Sequence, residues 1–434
     1  MKARQRAERQ RALRRRTLVL ILSFVVLIGS AGYLLVMGLT GQIFVGGSKT
    51  VAVTQPPITV TTGETTDEPS IPVTYTGSGN TGENASNWTY TTAESMPAGN
   101  IVDGTSAFYD YERVRRDLYF LEKRYDDCLT VNVFGYSADG RELLDAVVGS
   151  PTATKDVIVQ YGMHAREYLV VNVAMMQLER LLVSYHSGTV NGRSISDVMG
   201  NVRLHIIPMM NPDGIMLSET QSLDVLQSEE LKNIILKAHE SDLALGKASP
   251  SMEEYLATWK ANARCVDLNR NFATTGWTTE MGTQTPSCSR YPGSAANSEP
   301  EVQALLSLVD SINCVAQIAY HAHGEMVYFD YGMEEIDPAL HDTDHELAQR
   351  ISAATAVNGA EPYEVISTVL DDQNPGGCSD YFMQILHKPA VTVEVAAKLK
   401  PDGSYNDPPL SLDQVAGVFE RNADVLPVVA EMFA

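Results

Sequence analysis

Gln160-Tyr161-Gly162-Met163-His164-Ala165-Arg166-Glu167 reads as a strand that ends in a glycine turn and then presents an imidazole and a carboxylate at the start of a helix. A spacing of three puts both side chains on one helical face, where they can share a cation. Such a pair is common by chance, so its weight depends on what else the chain supplies. Ala319-Tyr320-His321-Ala322-His323-Gly324 offers a third ligand, since His321 ends an apolar strand, a place where open α/β sheets put functional groups. Two histidines and one glutamate make a catalytic zinc set with one position left for water. Taken singly, His321 reads equally well as a hydrogen-bonded core histidine.

Outward from this stretch, short β-branched runs alternate with helical patterns. Leu129 to Val133, Leu144 to Val148, Val157 to Gln160, Val202 to Ile207, Val315 to Tyr320 and Ala390 to Val395 predict strands. Leu169 to Tyr185, Glu299 to Ile312 and Leu412 to Met432 predict helices, and Tyr109, Tyr111, Val114, Leu118, Leu121 and Tyr125 predict an amphipathic first helix. Ile215 to Thr258 reads as a helical insertion after the turn Asn211-Pro212-Asp213-Gly214. The interleaving predicts an α/β fold over residues 108–434: a mixed, largely parallel central sheet with helices on both faces.

Two further groups carry chemistry. In Val391-Thr392-Val393-Glu394-Val395 a carboxylate sits in an apolar strand, where it is costly without a partner; a general base toward water is one explanation and an ion pair with a core arginine is another. In Asp267-Leu268-Asn269-Arg270-Asn271-Phe272 a fork-shaped guanidinium suited to gripping a carboxylate adjoins an amide. His341 and His345 stand four apart among Asp342, Asp344 and Glu346, a pattern that reads as a solvated helix face.

The N-terminal quarter is of another kind. Residues 1–16 carry eight basic side chains against one acid, and residues 17–38 are apolar and uncharged over about the length a bilayer requires. The reading is a basic cytoplasmic tail and a single uncleaved membrane anchor, with everything beyond it outside the cell. Residues 39–107 are dominated by Thr, Ser, Gly, Pro, Asn and Glu and are expected to form a flexible stalk. A formal net charge of −22 argues against a nucleic-acid partner, because phosphate contact needs positive surface. Five cysteines are too few for a disulfide scaffold, and the odd number leaves at least one thiol.

Taken together, HAREY at 164–168, NPDG at 211–214, DLNRNF at 267–272, the stretch Tyr291 to Glu301, His321, Gly376-Gly377 and Glu394 resemble the carboxypeptidase A-type zinc metallocarboxypeptidases over essentially all of residues 108–434. The aromatic opening at Tyr109 to Tyr111 and the Asp139-Gly140-Arg141 turn belong to the same resemblance. It implies that His164, Glu167 and His321 hold one Zn2+, that Glu394 is the base, that Asn269 and Arg270 bind a substrate carboxylate, and that Arg166 lines the outer cleft. Where the family has an arginine stabilising the oxyanion after a Trp, this chain has Lys260, with Arg264 close by as a second candidate. Asp372 replaces a tyrosine that closes over substrate, and Ser379 falls at the base of the specificity pocket. Cys265 and Cys288 match the separation of a disulfide in animal members, and that bridge is expected here.

The resemblance extends to bacterial enzymes that cut γ-D-glutamyl-diaminopimelate bonds, whose substrate carries an ammonium that Asp371 or Asp372 could meet. The functional expectation is a monomeric catalytic domain acting on peptides or muropeptides at the cell wall. Two alternatives stand beside it: a general extracellular metallocarboxypeptidase for peptide nutrition, and an inactive module that binds wall peptides. Loss of a ligand or of the base would mark the last, and neither is lost.

Overall fold

The computed structural model describes residues 86–105, 109–331, 337–368, 375–398 and 414–434. The expected membrane anchor at 17–38 and Asp372 lie outside these residues. Among the described residues no helix is long and apolar enough to cross a membrane.

The elements run in chain order as α1 (Tyr111–Arg124), β1 (Leu129–Tyr136), β2 (Glu142–Val148), β3 (Lys155–Tyr161), α2 (Leu169–Ser184), β4 (Thr189–Val190), β5 (Arg193–Ser194), α3 (Ile195–Met199) and β6 (Val202–Ile207). They continue through α4 (Pro212–Thr220), α5 (Glu229–Ala244), α6 (Met252–Ala257), α7 (Pro300–Ser311), β7 (Cys314–Ala322), β8 (Met326–Phe329) and α8 (Pro338–Ala354). Last come β9 (Glu364–Ser367), α9 (Cys378–Gln384), β10 (Ala390–Val395), α10 (Val415–Asn422) and α11 (Val425–Phe433).

Eight strands form one sheet in the order β1-β2-β6-β3-β7-β10-β8-β9. The centre, β6-β3-β7-β10, is parallel, and antiparallel pairs flank it at β1-β2, β2-β6 and β10-β8. This is the mixed, largely parallel sheet expected, and its centre is buried on both sides, as the continuous burial of β3 from Asp156 to Tyr161 shows. One face packs on α2, α3, α10 and α11 through residues such as Leu178, Val198, Val418 and Val429. The other packs on α7 and α9 through Leu305, Leu308 and Phe382.

Local chemistry sets many boundaries. Asp110 caps α1 by accepting from the Arg113 N–H, Asn211 caps α4 with Pro212 following, and Ser228 and Ser251 cap α5 and α6. The β4–β5 hairpin turns on Asn191-Gly192, whose φ of 48° and 80° suit a type I′ turn. The last helical stretch, expected as one, is two: Pro427 cannot share a helix with an unhindered carbonyl four residues earlier, and the chain breaks at Ala423-Asp424.

Part of the expected stalk packs on the folded domain. Residues 86–105 have no regular secondary structure, yet Trp88, Ile101 and Val102 are buried in the main core. Their polar groups are met by the folded domain. The Asn87 amide donates to the Val133 carbonyl at 3.0 Å and accepts from its N–H at 2.7 Å, covering the exposed edge of β1. The Ile101 and Val102 N–H groups donate to the buried carboxylate of Glu179, at 2.7 and 3.2 Å, and Trp88 Nε1 donates to Glu142. Three apolar anchors and a few side-chain hydrogen bonds order a stretch whose average composition reads as linker.

Candidate active site

The site lies at the carboxyl ends of β3, β7 and β10. Gly162, at φ 67°, turns the chain out of β3, and Ala165–Glu167 forms a single 3-10 turn, so His164 and Glu167 precede α2 rather than opening it. His164 Nδ1 lies 3.0 Å from Glu167 Oε1 and 2.9 Å from His321 Nδ1, which is 3.1 Å from Glu167 Oε2. All three residues are buried, with ligand atoms within 4.8 Å of one another. The Ala322 N–H also donates to Glu167 Oε2, at 3.2 Å. Burial alone would push the Glu167 carboxyl up, but His164 and His321 hold it well below the usual range.

Asp267, the first residue of the DLNRNF motif, stands behind this triad. Its Oδ1 is 3.3 Å from His164 Nε2 and its Oδ2 is 3.8 Å from Lys260 Nζ. Burial opposes its ionisation, yet the Lys260 charge, then His164, hold it well below the carboxylate range. A carboxylate at Nε2 keeps the proton there and leaves the Nδ1 lone pair of His164 free to meet a cation. Two imidazole nitrogens and one carboxylate, converging on one point with this backing, fit the donor set of a catalytic zinc.

Glu394 is the register partner of His321 in the parallel β10–β7 pair. Burial pushes its carboxyl up to about 7; Glu167 adds to the rise, while His321 and Lys260 oppose it. Among the described residues it makes no ion pair with an arginine.

Lys260 is placed by its backbone. The Ala165 N–H donates to its carbonyl at 3.2 Å, and its own N–H donates to the Cys288 carbonyl at 2.8 Å. Asn211 staples the same region, donating through Nδ2 to the carbonyls of Met163 and Ala261 at 3.1 and 3.0 Å. Gly214 is required here because a Cβ would stand 2.4 Å from the Ala261 carbonyl oxygen. The Lys260 ammonium lies 3.8 Å from Asp267 Oδ2, behind the triad, and its charge is felt at Glu394. Arg264, the second candidate for its role, is exposed on the following turn and makes no ion pair with a site carboxylate among the described residues.

Asn269 and Arg270 lie on a 3-10 turn against Gly376-Gly377. The Cys378 N–H donates to Asn269 Oδ1 at 2.8 Å, and Gly376, at φ 93°, leaves room for the Arg270 carbonyl, which a Cβ would approach to 2.4 Å. Arg166, within the metal turn, is half-buried, and its Nε has no hydrogen-bond partner among the described residues. Ser379 is buried and bonded to Gln317 and Thr392 at 3.0 and 3.1 Å.

The expected Cys265–Cys288 bridge is not formed. All five cysteines are thiols. The two chain segments do touch, since the Ser287 N–H donates to the Cys265 carbonyl at 3.3 Å, but burial holds both thiols in the neutral form. His341 pairs with Asp330 at 2.6 Å and His345 stacks on Phe329, so neither belongs to a second metal cluster among the described residues.

The loop 260–272 also rests on buried groups that carry no signal of their own in the sequence. Asn262 Oδ1 accepts from the N–H groups of Arg264 and Val266, while its Nδ2 donates to Glu299 and Glu301 at 2.8 and 3.1 Å. Glu301, pushed up to about 8 by burial, accepts from the Ala138 N–H, and Asp213 accepts from Ser137 and Arg141 in the same turn. Glu299, Glu301 and Asp213 are marked in the sequence only by lying within the stretch Tyr291 to Glu301 and the NPDG turn.

The chain matches the zinc carboxypeptidase family over residues 114–415. It is 28% identical to gamma-D-glutamyl-L-diamino acid endopeptidase 1 of Lysinibacillus sphaericus over 297 residues, 68% of this chain and 67% of that protein. It is 25% identical to a zinc carboxypeptidase of Simulium vittatum over 301 residues, 67% of this chain and 85% of the other. Among solved structures, carboxypeptidase A from Helicoverpa armigera superposes with a TM-score of 0.58 at 19% identity, covering 76% of this chain and 74% of that one. The fold and the family match agree, and the chain belongs to the zinc carboxypeptidase family.

Proposed function

We propose that this protein is a zinc-dependent peptidase that hydrolyses γ-D-glutamyl-diamino acid bonds in peptidoglycan stem peptides. The observation that carries the reading is the convergence of His164, Glu167 and His321 beside Glu394, with Lys260 behind them and Asn269 and Arg270 on the adjoining turn. The name of the Lysinibacillus relative supports the choice of bond.

Bound in the triad, zinc supplies a Lewis acid for a peptide carbonyl. Glu394 takes a proton from the attacking water and returns it to the leaving amine, a role suited to a carboxyl raised toward neutrality. Lys260 supplies positive charge where the carbonyl oxygen becomes negative, without the fork of an arginine. Arg270 and Asn269 orient a carboxylate of the substrate, and Arg166 meets its outer part. Asp267 keeps the proton of His164 at Nε2.

The basic tail and the apolar segment 17–38, with the polar stretch that follows, support a single-pass anchor holding this domain outside the cell. Incubating the protein with defined muropeptides and with hippuryl-type peptides, read by mass spectrometry, tests the reading. Release of diamino-acid products from the muropeptides is expected; turnover of hippuryl peptides alone would reject the wall substrate.

A further inference from the structure

The helical insertion between α4 and the 260–272 loop carries a buried carboxylate that is tied to the backbone of Lys260. Asp242 of α5 is 1% exposed, and its Oδ2 accepts from Tyr255 Oη of α6 and from Ser287 Oγ, each at 2.7 Å. Tyr255 and Ser287 are buried with it. The Cys288 N–H lies 3.1 Å from Tyr255 Oη and 3.4 Å from the same carboxylate oxygen. At the other end of that residue, the Cys288 carbonyl accepts from the N–H groups of both Lys260 and Ala261, at 2.8 and 3.0 Å. One residue, Cys288, thus stands between Asp242 and the backbone of Lys260.

Packing of the insertion does not call for a carboxylate here. Ile235 and Ala238 on α5 and Leu256 on α6 already bury the two helices in the main core, and a buried carboxylate is costly unless donors meet it. Three donors do meet Asp242, one from α6 and two from the segment 287–288, which fixes that segment in direction as well as in distance. The Tyr255 ring is held in turn. His239, bonded to the Ser249 carbonyl at 2.7 Å, packs on it at 4.7 Å, and Trp259, the residue before Lys260, meets it edge-on at 5.5 Å. The same segment runs on to Asp267: the Arg290 N–H donates to Asp267 Oδ2 at 3.1 Å, and the Tyr291 carbonyl accepts from the Asp267 N–H at 2.8 Å.

We propose that Asp242, acting with Tyr255 and Ser287, is a clamp in the insertion that sets where the Lys260 ammonium stands relative to Asp267 and Glu394. The three are positioning residues, since each acts through Cys288 rather than on the reacting atoms. A lysine ammonium sits on a flexible four-carbon stem, so its charge is aimed only as well as its backbone is held. A displacement of about 1 Å caused far from the chemistry can cost about 10²-fold in rate. The inference rests on the reading of Lys260 as the cation that stabilises the developing oxyanion, and it adds what holds that cation in place.

The test introduces Asp242→Ala into the full chain in two backgrounds, wild type and Lys260→Met, and measures turnover of the muropeptide or hippuryl substrate that the protein cleaves. In the wild-type background kcat is expected to fall about tenfold or more, with KM within about twofold and zinc content unchanged. In the Lys260→Met background the same substitution is expected to change kcat by less than about twofold, because the group it positions is gone. A structural role alone would lower both backgrounds by the same factor. Asp242→Asn, which keeps an acceptor oxygen, is expected to recover most of kcat, and Ser287→Ala repeats the comparison if Asp242→Ala folds poorly. Hydrogen exchange read by mass spectrometry gives an arm independent of turnover: the Lys260 and Ala261 amides are expected to exchange about tenfold faster or more in Asp242→Ala, with β3 and β7 unchanged. Unaltered exchange at these amides, an unaltered kcat in the wild-type background, or equal losses in both backgrounds would overturn the inference. Failure of the reading of Lys260 is distinguishable, since it shows as full turnover by Lys260→Met itself, while exchange still reports whether Asp242 holds that backbone.

Discussion

Glu394 sits in a β-strand beside His321, and its proposed role as base makes a direct demand on kinetics. Replacing it by Gln keeps volume and removes the proton acceptor, so kcat is expected to fall by about 10²–10⁴ with zinc content unchanged in elemental analysis. The carboxylate form grows as pH rises toward about 7, and a cation in the triad shifts that limb lower, so kcat/KM falls on acidification. Lys260 and Arg264 give a contrast: Lys260→Met is expected to lower kcat about 10²-fold or more and Lys260→Arg to recover most of it, whereas Arg264→Ala changes it less than about twofold. A large effect at Arg264 would contradict the assignment of Lys260 as the cation. The triad and the place of Glu394 beside it were legible because each of these side chains ends an apolar run or follows a glycine turn. Asp267 was not, because its role depends on which ring nitrogen of His164 it meets, and spacing along the chain says nothing of that. The Cys265–Cys288 bridge rested on a separation matching that of a disulfide in animal members of the family, and separation does not decide whether two sulfurs join.

At the scale of elements, the strap at residues 86–105 is the largest departure from expectation. Trp88 is 5% exposed, stacked on Tyr90 and bonded to Glu142. Trp88→Ala is expected to cost about 3 kcal/mol in urea unfolding while leaving kcat/KM nearly unchanged, because the strap lies at the β1 edge of the sheet, far in strand order from β3, β7 and β10. A variant as stable as wild type would show that the docking is incidental. Long helices and two-sided strands were readable from periodicity, as α2 and β3 are. Strands β8 and β9 were not, since four residues apiece give too little pattern to distinguish a strand from a loop. The strap escaped for a related reason: its anchors are few and far apart, and the donors and acceptors that satisfy its backbone come from Glu179 and from β1.

The whole molecule is acidic, and its buried charges set how it responds to pH. His205 lies between Asp145 and Asp156, at 2.7 and 3.2 Å. Burial would lower its pKa, but Asp145 first and Asp156 second raise it to about 9. The stability this cluster contributes is full below the ordinary histidine value, about 6.5, and is lost as pH rises through about 9, a change on the order of 3 kcal/mol. Glu301 works in the same sense, since its folded form keeps a proton up to about 8 that the unfolded chain has released. Urea unfolding from about pH 6 to 9 should show stability declining, and a rise over that range would contradict a protonated His205 and a neutral Glu301 in the folded protein. On the proposed mechanism, one zinc held by His164, Glu167 and His321 is indispensable to peptide hydrolysis by the whole protein. The most direct measurement is zinc content and turnover on the same samples of wild type and His321→Ala, before and after dialysis against a chelator. Expected are one zinc per wild-type chain, loss of metal and activity together on dialysis, recovery with one added equivalent, and neither metal nor turnover in the variant. Undiminished turnover by metal-free wild type would contradict the mechanism.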